Sequence, residues 1–120
     1  FSARPDLQIL CYPVITMGEG AHAGSRTNLL GDEASQDLTD QLSSEKQVTD
    51  KTPPAFVMHS VDDQAVLIGP NSDAYVDALK AKNIPVEYVS GALGPHGVGM
   101  KDSWTPQLLQ WLIKMGYATK

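Results

Sequence analysis

With 120 residues, the chain is long enough for one domain and too short for two of ordinary size. A composition of 42% hydrophobic and 19% charged residues suits a globular chain, not a disordered or fibrous one, and no apolar run approaches the ~20 residues needed to cross a bilayer. A net charge of −5 with nine scattered basic residues argues against nucleic acid as a partner, which needs clustered Lys and Arg.

Taken in chain order, residues 7–12 (LQILCY) form a short, nearly continuous apolar run ended by Pro13, the pattern of a strand covered on both faces. Residues 13–31 read as a long loop. A weak helix is expected after Ser35, with Leu38 and Leu42 facing inward, and residues 43–48 are expected to add one further turn. A second strand, residues 55–59 (AFVMH), follows the Pro53-Pro54 pair, and a third, residues 86–89 (VEYV), follows Pro85. Between them Ser72 is a possible cap for a helix running to about Lys82, with Ala74, Val76, Ala78, Leu79 and Ala81 on or near its inward face and Asn83 as its stop. Ser103 is a possible cap for the last helix, whose Leu108, Leu109, Trp111, Leu112 and Met115 make an apolar stripe before Gly116.

Strands alternating with helices indicate an α/β fold with three parallel strands and flanking helices. In such sheets ligands bind beyond the carboxyl ends of the strands, here the loops 13–31, 60–71 and 90–103. Two residues in those loops stand out. Asp63 follows the second strand, and His96 follows the third in a small-residue loop, Gly91-Ala92-Leu93-Gly94-Pro95-His96-Gly97. An acid and a histidine after consecutive strands face one crevice, where a carboxylate can orient an imidazole that takes a nucleophile's proton.

Other residues carry less. Cys11, the single cysteine, sits in a strand-like run and reads as a buried inert thiol; it allows no internal disulfide and leaves the compartment open. His22, His59 and His96 lack the short spacing of metal ligands, so no metal is expected, and His59 reads as a strand-end residue satisfied by nearby backbone. Gly18 and Gly20 around Glu19 are not a phosphate loop. Arg26 and Asn28 read as surface hydrogen-bonding residues, the tryptophans as packing for the last helix, and the acidic residues between Asp32 and Asp50 as a solvated face.

The segment His-x-x-x-Asp-x-x-Val from His59 to Val66, then a helix, a short strand and a loop with His96-Gly97, resembles the end of an α/β-hydrolase, whose triad runs nucleophile, acid, histidine along the chain. The resemblance implies that Asp63 is the catalytic acid and His96 the catalytic histidine, with Asp62 pointing elsewhere. Arg4-Pro5-Asp6, Tyr12-Pro13-Val14-Ile15, Gly24-Ser25-Arg26, Asn28-Leu29-Leu30-Gly31, Ser44-Glu45-Lys46-Gln47-Val48 and Thr52-Pro53-Pro54 are similar to small carbohydrate esterases of the acetyl xylan esterase and esterase/lipase-like group. That similarity implies an acetylated carbohydrate or small ester as substrate, and no cofactor. A prolyl-oligopeptidase-type peptidase and a non-catalytic interaction domain of the same fold are the alternatives.

No G-x-S-x-G nucleophile elbow occurs in the sequence. The expectation is therefore that residues 1–120 are the C-terminal half of a single α/β-hydrolase domain, inactive alone, with the nucleophile and oxyanion donors supplied from outside. Residues 7–12 would then be an edge strand, and edges with unpaired backbone invite a partner: the N-terminal half of the same protein, or a second copy.

Overall fold

Every residue of Ala55–Ser60 is buried, and this strand is the middle of a three-stranded parallel sheet. The computed structural model describes residues 2–119. We label the strands β1 (Gln8–Cys11), β2 (Ala55–Ser60) and β3 (Val86–Gly91); β2 pairs with both others, placing Ile9 opposite Phe56 and Phe56 opposite Glu87. The helices are α1 (Ala23–Leu30), α2 (Gln36–Gln41), α3 (Ala74–Ala81) and α4 (Thr105–Lys114). One 3₁₀ turn spans Ser44–Lys46, and a turn of π-helix at Gly69–Asp73 leads straight into α3.

Side chains alternate across a strand, so β2 serves two cores. Ala55 and Val57 pack with Ile15, Tyr75, Val76, Leu79 and Ile84 on the α3 side. Phe56 and Met58 pack with Trp104 and Trp111 on the α4 side. A run that is apolar at every position is what a strand covered on both faces requires, and this is why β2 was visible in the sequence. His59, next in the alternation, is also completely buried.

The expected strands and the parallel order are present, with shifted ends. Strand β1 stops at Cys11 because Tyr12 has φ 41°, a left-handed value that cannot continue a strand. Helix α3 ends as expected at Asn83, whose φ is 56°: the Asn83 amide donates to the Lys80 carbonyl and the Ile84 amide to the Leu79 carbonyl, closing the helix end while Ile84 packs in the same cluster as Leu79. The two tryptophans are core residues, as expected, and Cys11 packs partly buried against their cluster, where burial pushes its thiol pKa up.

Several expectations are corrected. The stretch 13–31 is not all loop: α1 lies within it, capped by His22, whose Nδ1 accepts from the Ser25 amide at 3.2 Å. This helix buries none of its residues, so it left no apolar period to read. In α2, Ser35 is the cap as expected, but Leu38 and Leu42 are both exposed. The buried residue is Thr39, which donates to the Ser35 carbonyl and whose own carbonyl accepts from buried Ser43; Ser43 also accepts from the Met17 amide. This segment is held by polar contacts, not by leucines.

Unlike Ser35, neither Ser72 nor Ser103 caps the helix expected to follow it. Ser72 lies inside the π-helical turn with its side chain turned toward β2, and α4 begins after Trp104 with no side-chain cap, leaving Ser103 exposed. Tyr75 joins Val76 and Leu79 on the buried face of α3, while Ala81 is exposed; on α4, Leu109 is exposed.

One buried side chain organises the long segment after β1. Asn71, fully buried, accepts from the Ile15 and Thr16 amides at 2.8 and 3.2 Å and donates to the Leu67 and Gly20 carbonyls at 2.9 and 3.4 Å. All of its hydrogen-bonding groups are used, so it holds backbone that would otherwise be buried and unpaired.

Candidate active site

At the carboxyl end of β2 the chain turns through Val61 and Asp62 and brings Asp63 inward, with 3% of its surface exposed. Its Oδ1 accepts from the Ala65 and Val66 amides, both at 2.9 Å. Its Oδ2 faces two imidazoles, His96 Nδ1 at 2.7 Å and His59 Nε2 at 3.1 Å. Burial pushes this carboxyl up, but the Val66 amide, His96 and the Ala65 amide outweigh it and hold the group below the usual carboxylate range. Asp63 therefore stays ionised at neutral pH. Asp62 is exposed, and its amide donates to Ser60 Oγ.

The loop carrying His96 is tied to the acid loop at its base. Ser60 Oγ accepts from the Asp62 amide on one side and from the Leu93 amide on the other, and donates to the Gly91 carbonyl. Gly94 and Gly97 flank Pro95-His96 with φ of 109° and 75°, values that favour glycine; a Cβ on Gly94 would also come within 3.0 Å of Val98. At its far end the loop is anchored by Trp104, whose indole donates to the Gly99 carbonyl at 3.1 Å.

His96 keeps 38% of its side chain exposed while its Nδ1 meets a buried carboxylate. An ionised carboxylate only accepts, so Nδ1 carries the proton and, in the neutral ring, Nε2 presents a lone pair outward. That is the form a general base needs. The Tyr12 ring meets the imidazole edge-to-face, with centroids 4.9 Å apart. A cavity of about 620 Å³ opens beside the same loop, lined in part by Leu93, Pro95, His96, Val98, Lys101 and Asp102.

His59, expected to be satisfied by nearby backbone, has its Nε2 2.9 Å from the Val66 carbonyl. Its contact to Asp63 falls within the His59–Val66 segment singled out in the sequence, whereas that of Nδ1 to Ser72 Oγ at 2.6 Å had no sequence signal. The role of Tyr12 was missed in the same way. Its positive φ, uncommon outside glycine, was the property that no local pattern could reveal. Arg26 donates to the Met17 carbonyl, and Asn28 is exposed. Among the described residues no group of three His, Cys, Asp or Glu side chains is placed to hold a metal ion.

Because the Asp63 carboxyl sits lower in the folded chain than in the unfolded one, its ionised form stabilises the fold above the unfolded value of about 3.9. That stabilisation disappears as pH falls through the lowered folded value. The gap in melting temperature between wild type and Asp63→Asn should therefore narrow between about pH 5 and about pH 2. A gap that stays constant over that range would show that the Asp63 contacts do not favour the charged form.

Three relatives place this geometry in context. The chain is 41% identical over 97 residues to endo-1,4-beta-xylanase B of Butyrivibrio fibrisolvens, a match covering 81% of the chain and 15% of that protein. It is 34% identical over 116 residues to an acetylxylan esterase of Xylanibacter ruminicola, covering 92% of the chain and 24% of the relative. The crystal structure of an acetyl ester-xyloside bifunctional hydrolase from Caldicellulosiruptor lactoaceticus superposes with a TM-score of 0.91 at 37% identity, over 97% of the chain and 44% of that structure. The chain thus spans less than half the length of each of these three proteins. No family model matches it.

Proposed function

Since this chain has the fold of the C-terminal portion of an α/β-hydrolase esterase, we propose that residues 1–120 form the C-terminal half of a single catalytic domain that hydrolyses carboxylic esters, removing acetyl groups from xylan or related acetylated sugars. The observation that carries this reading is the 2.7 Å contact between buried Asp63 and half-exposed His96 at the carboxyl end of the sheet. Similarity to the acetylxylan esterase and the acetyl ester-xyloside hydrolase supports the choice of acyl group and sugar.

In this mechanism Asp63 orients His96 and stabilises the imidazolium that forms on it. His96 Nε2 removes the proton from a serine supplied by the other half of the domain as that serine attacks the ester carbonyl. The same proton then passes to the leaving sugar oxygen. In the second stage His96 takes a proton from water, which attacks the acetyl-enzyme, and returns it to the serine. Donors for the oxyanion also come from the other half, so the 120 residues alone form no acyl-enzyme. Among the described residues β1 is an edge of the sheet, and strands of the other half, or a second copy, would pair there.

The test uses the whole polypeptide that bears the nucleophile elbow, given acetylated xylo-oligosaccharides, p-nitrophenyl esters of increasing acyl length and a proline-containing peptide. Acetate release that falls as the acyl chain lengthens is expected. Peptide cleavage without acetate release would replace the esterase with the peptidase alternative.

A further inference from the structure

His59 touches no reacting atom in this mechanism, yet it shares an acceptor with the residue that does the proton transfer. Its Nε2 lies 2.9 Å from the Val66 carbonyl and 3.1 Å from Asp63 Oδ2. A carbonyl and an ionised carboxylate only accept, so Nε2 must carry a proton, which it divides between them. In the neutral ring Nδ1 then accepts from the Ser72 hydroxyl at 2.6 Å. The ring is completely buried, and Ser72 is too. Asp63 consequently receives four donors: two backbone amides on Oδ1 and two imidazoles on Oδ2. A carboxylate offers about four lone-pair directions, so this one is saturated.

We infer that His59 is a positioning residue for the reaction: by donating to the Asp63 oxygen that also receives His96, it locks the carboxylate and limits the negative charge the catalytic imidazole can draw on. This role rests on Asp63 and His96 being the working pair. Two donors on one oxygen compete for it. Without His59, the whole acceptor strength of Oδ2 falls on His96, which favours the imidazolium and leaves less free base at neutral pH. Losing the donor also leaves the carboxylate held about its Cβ–Cγ bond by three donors instead of four, the two backbone amides on Oδ1 and His96 on Oδ2. Ser72 completes the device, since its hydroxyl on Nδ1 keeps the His59 proton on Nε2, aimed at Asp63. Among the described residues, the side-chain partners of Asp63 are His59 and His96. Lys101 and Asp102 line the cavity beside His96, Asp62 is exposed next in the chain, and Tyr12 packs on the ring; all four stay unchanged in the variants below.

Two substitutions separate positioning from mere support. In His59→Gln the longer amide can reach the Nε2 position and donate to Asp63. In His59→Asn the amide reaches only the Nδ1 position, keeping Ser72 and losing Asp63. The measurements are the pH dependence of kcat/KM for acetate release and the NMR titration of the His96 ring, both in the whole polypeptide. His59→Asn should move the His96 titration and the acid limb upward by about one pH unit, a tenfold change in the protonation equilibrium. His59→Gln should leave both near wild type. Should His59→Asn not fold, Ser72→Ala carries the same expectation at smaller size. A folded His59→Asn, or Ser72→Ala in its place, with an unmoved His96 titration would overturn the inference, as would equal shifts in the Asn and Gln variants. The NMR arm reads the coupling even if no acetate is released, so a failed esterase assay would count against the proposed function and not against the role of His59.

Discussion

Asp63→Asn in the whole polypeptide should lower ester hydrolysis by about 10⁴-fold while leaving a folded protein. The reason lies in the four donors around the carboxylate. Oδ1 accepts two backbone amides and Oδ2 accepts two imidazoles, so both oxygens must be acceptors. An asparagine has one acceptor oxygen and one NH₂ group. If the NH₂ points at the Ala65 and Val66 amides, two buried N–H groups are left unpaired, at about 1–3 kcal/mol each. If it points at the imidazoles, it donates where His96 must donate, and His96 shifts its proton to Nε2. The second arrangement keeps the backbone paired and is preferred, but it removes the lone pair that takes the serine proton. Turnover within tenfold of wild type would mean that Asp63 does not orient the catalytic base.

Trp104→Ala carries the largest expected effect on stability, a loss of about 3–5 kcal/mol in denaturant unfolding. Trp104 is 1% exposed and is packed in one cluster with Phe56, Met58 and Trp111. Its ring centroid lies 6.4 Å from that of Phe56, and its indole holds the Gly99 carbonyl. Truncation leaves a cavity against the central strand and frees the end of the His96 loop. Trp104→Phe fills most of the space and loses only the indole bond, so it should cost about 1 kcal/mol. A loss below about 1 kcal/mol for the alanine variant would show that the α4 side of the core tolerates collapse around the gap.

The parts of the molecule that announced themselves in the sequence are those whose role repeats along the chain. Strand β2 is apolar at each position from Ala55 to Met58 because both of its faces are covered. Asn83 reads as a helix stop because a left-handed residue is needed there. Asp63 and His96 were legible through their places after consecutive strands and through the resemblance to hydrolases. Residues whose work is done across long separations were not. Asn71 ties down Ile15, 56 positions earlier, and Ser72 supports His59 across 13 positions. No period or cap pattern encodes such contacts, and Ser72 was misread as a cap because its type is the usual one there. Helix α1 escaped for the opposite reason: with no buried side and a histidine as its cap, it has neither of the usual signals.

The most direct test of the proposed dyad is acetate release from an acetylated xylo-oligosaccharide by the whole polypeptide, wild type against His96→Ala, with folding checked by circular dichroism. A working Asp63–His96 pair predicts turnover in the wild type and a loss of about 10⁴-fold or more in the folded variant. Wild-type turnover that survives His96→Ala within tenfold would contradict it and move the general base to another residue.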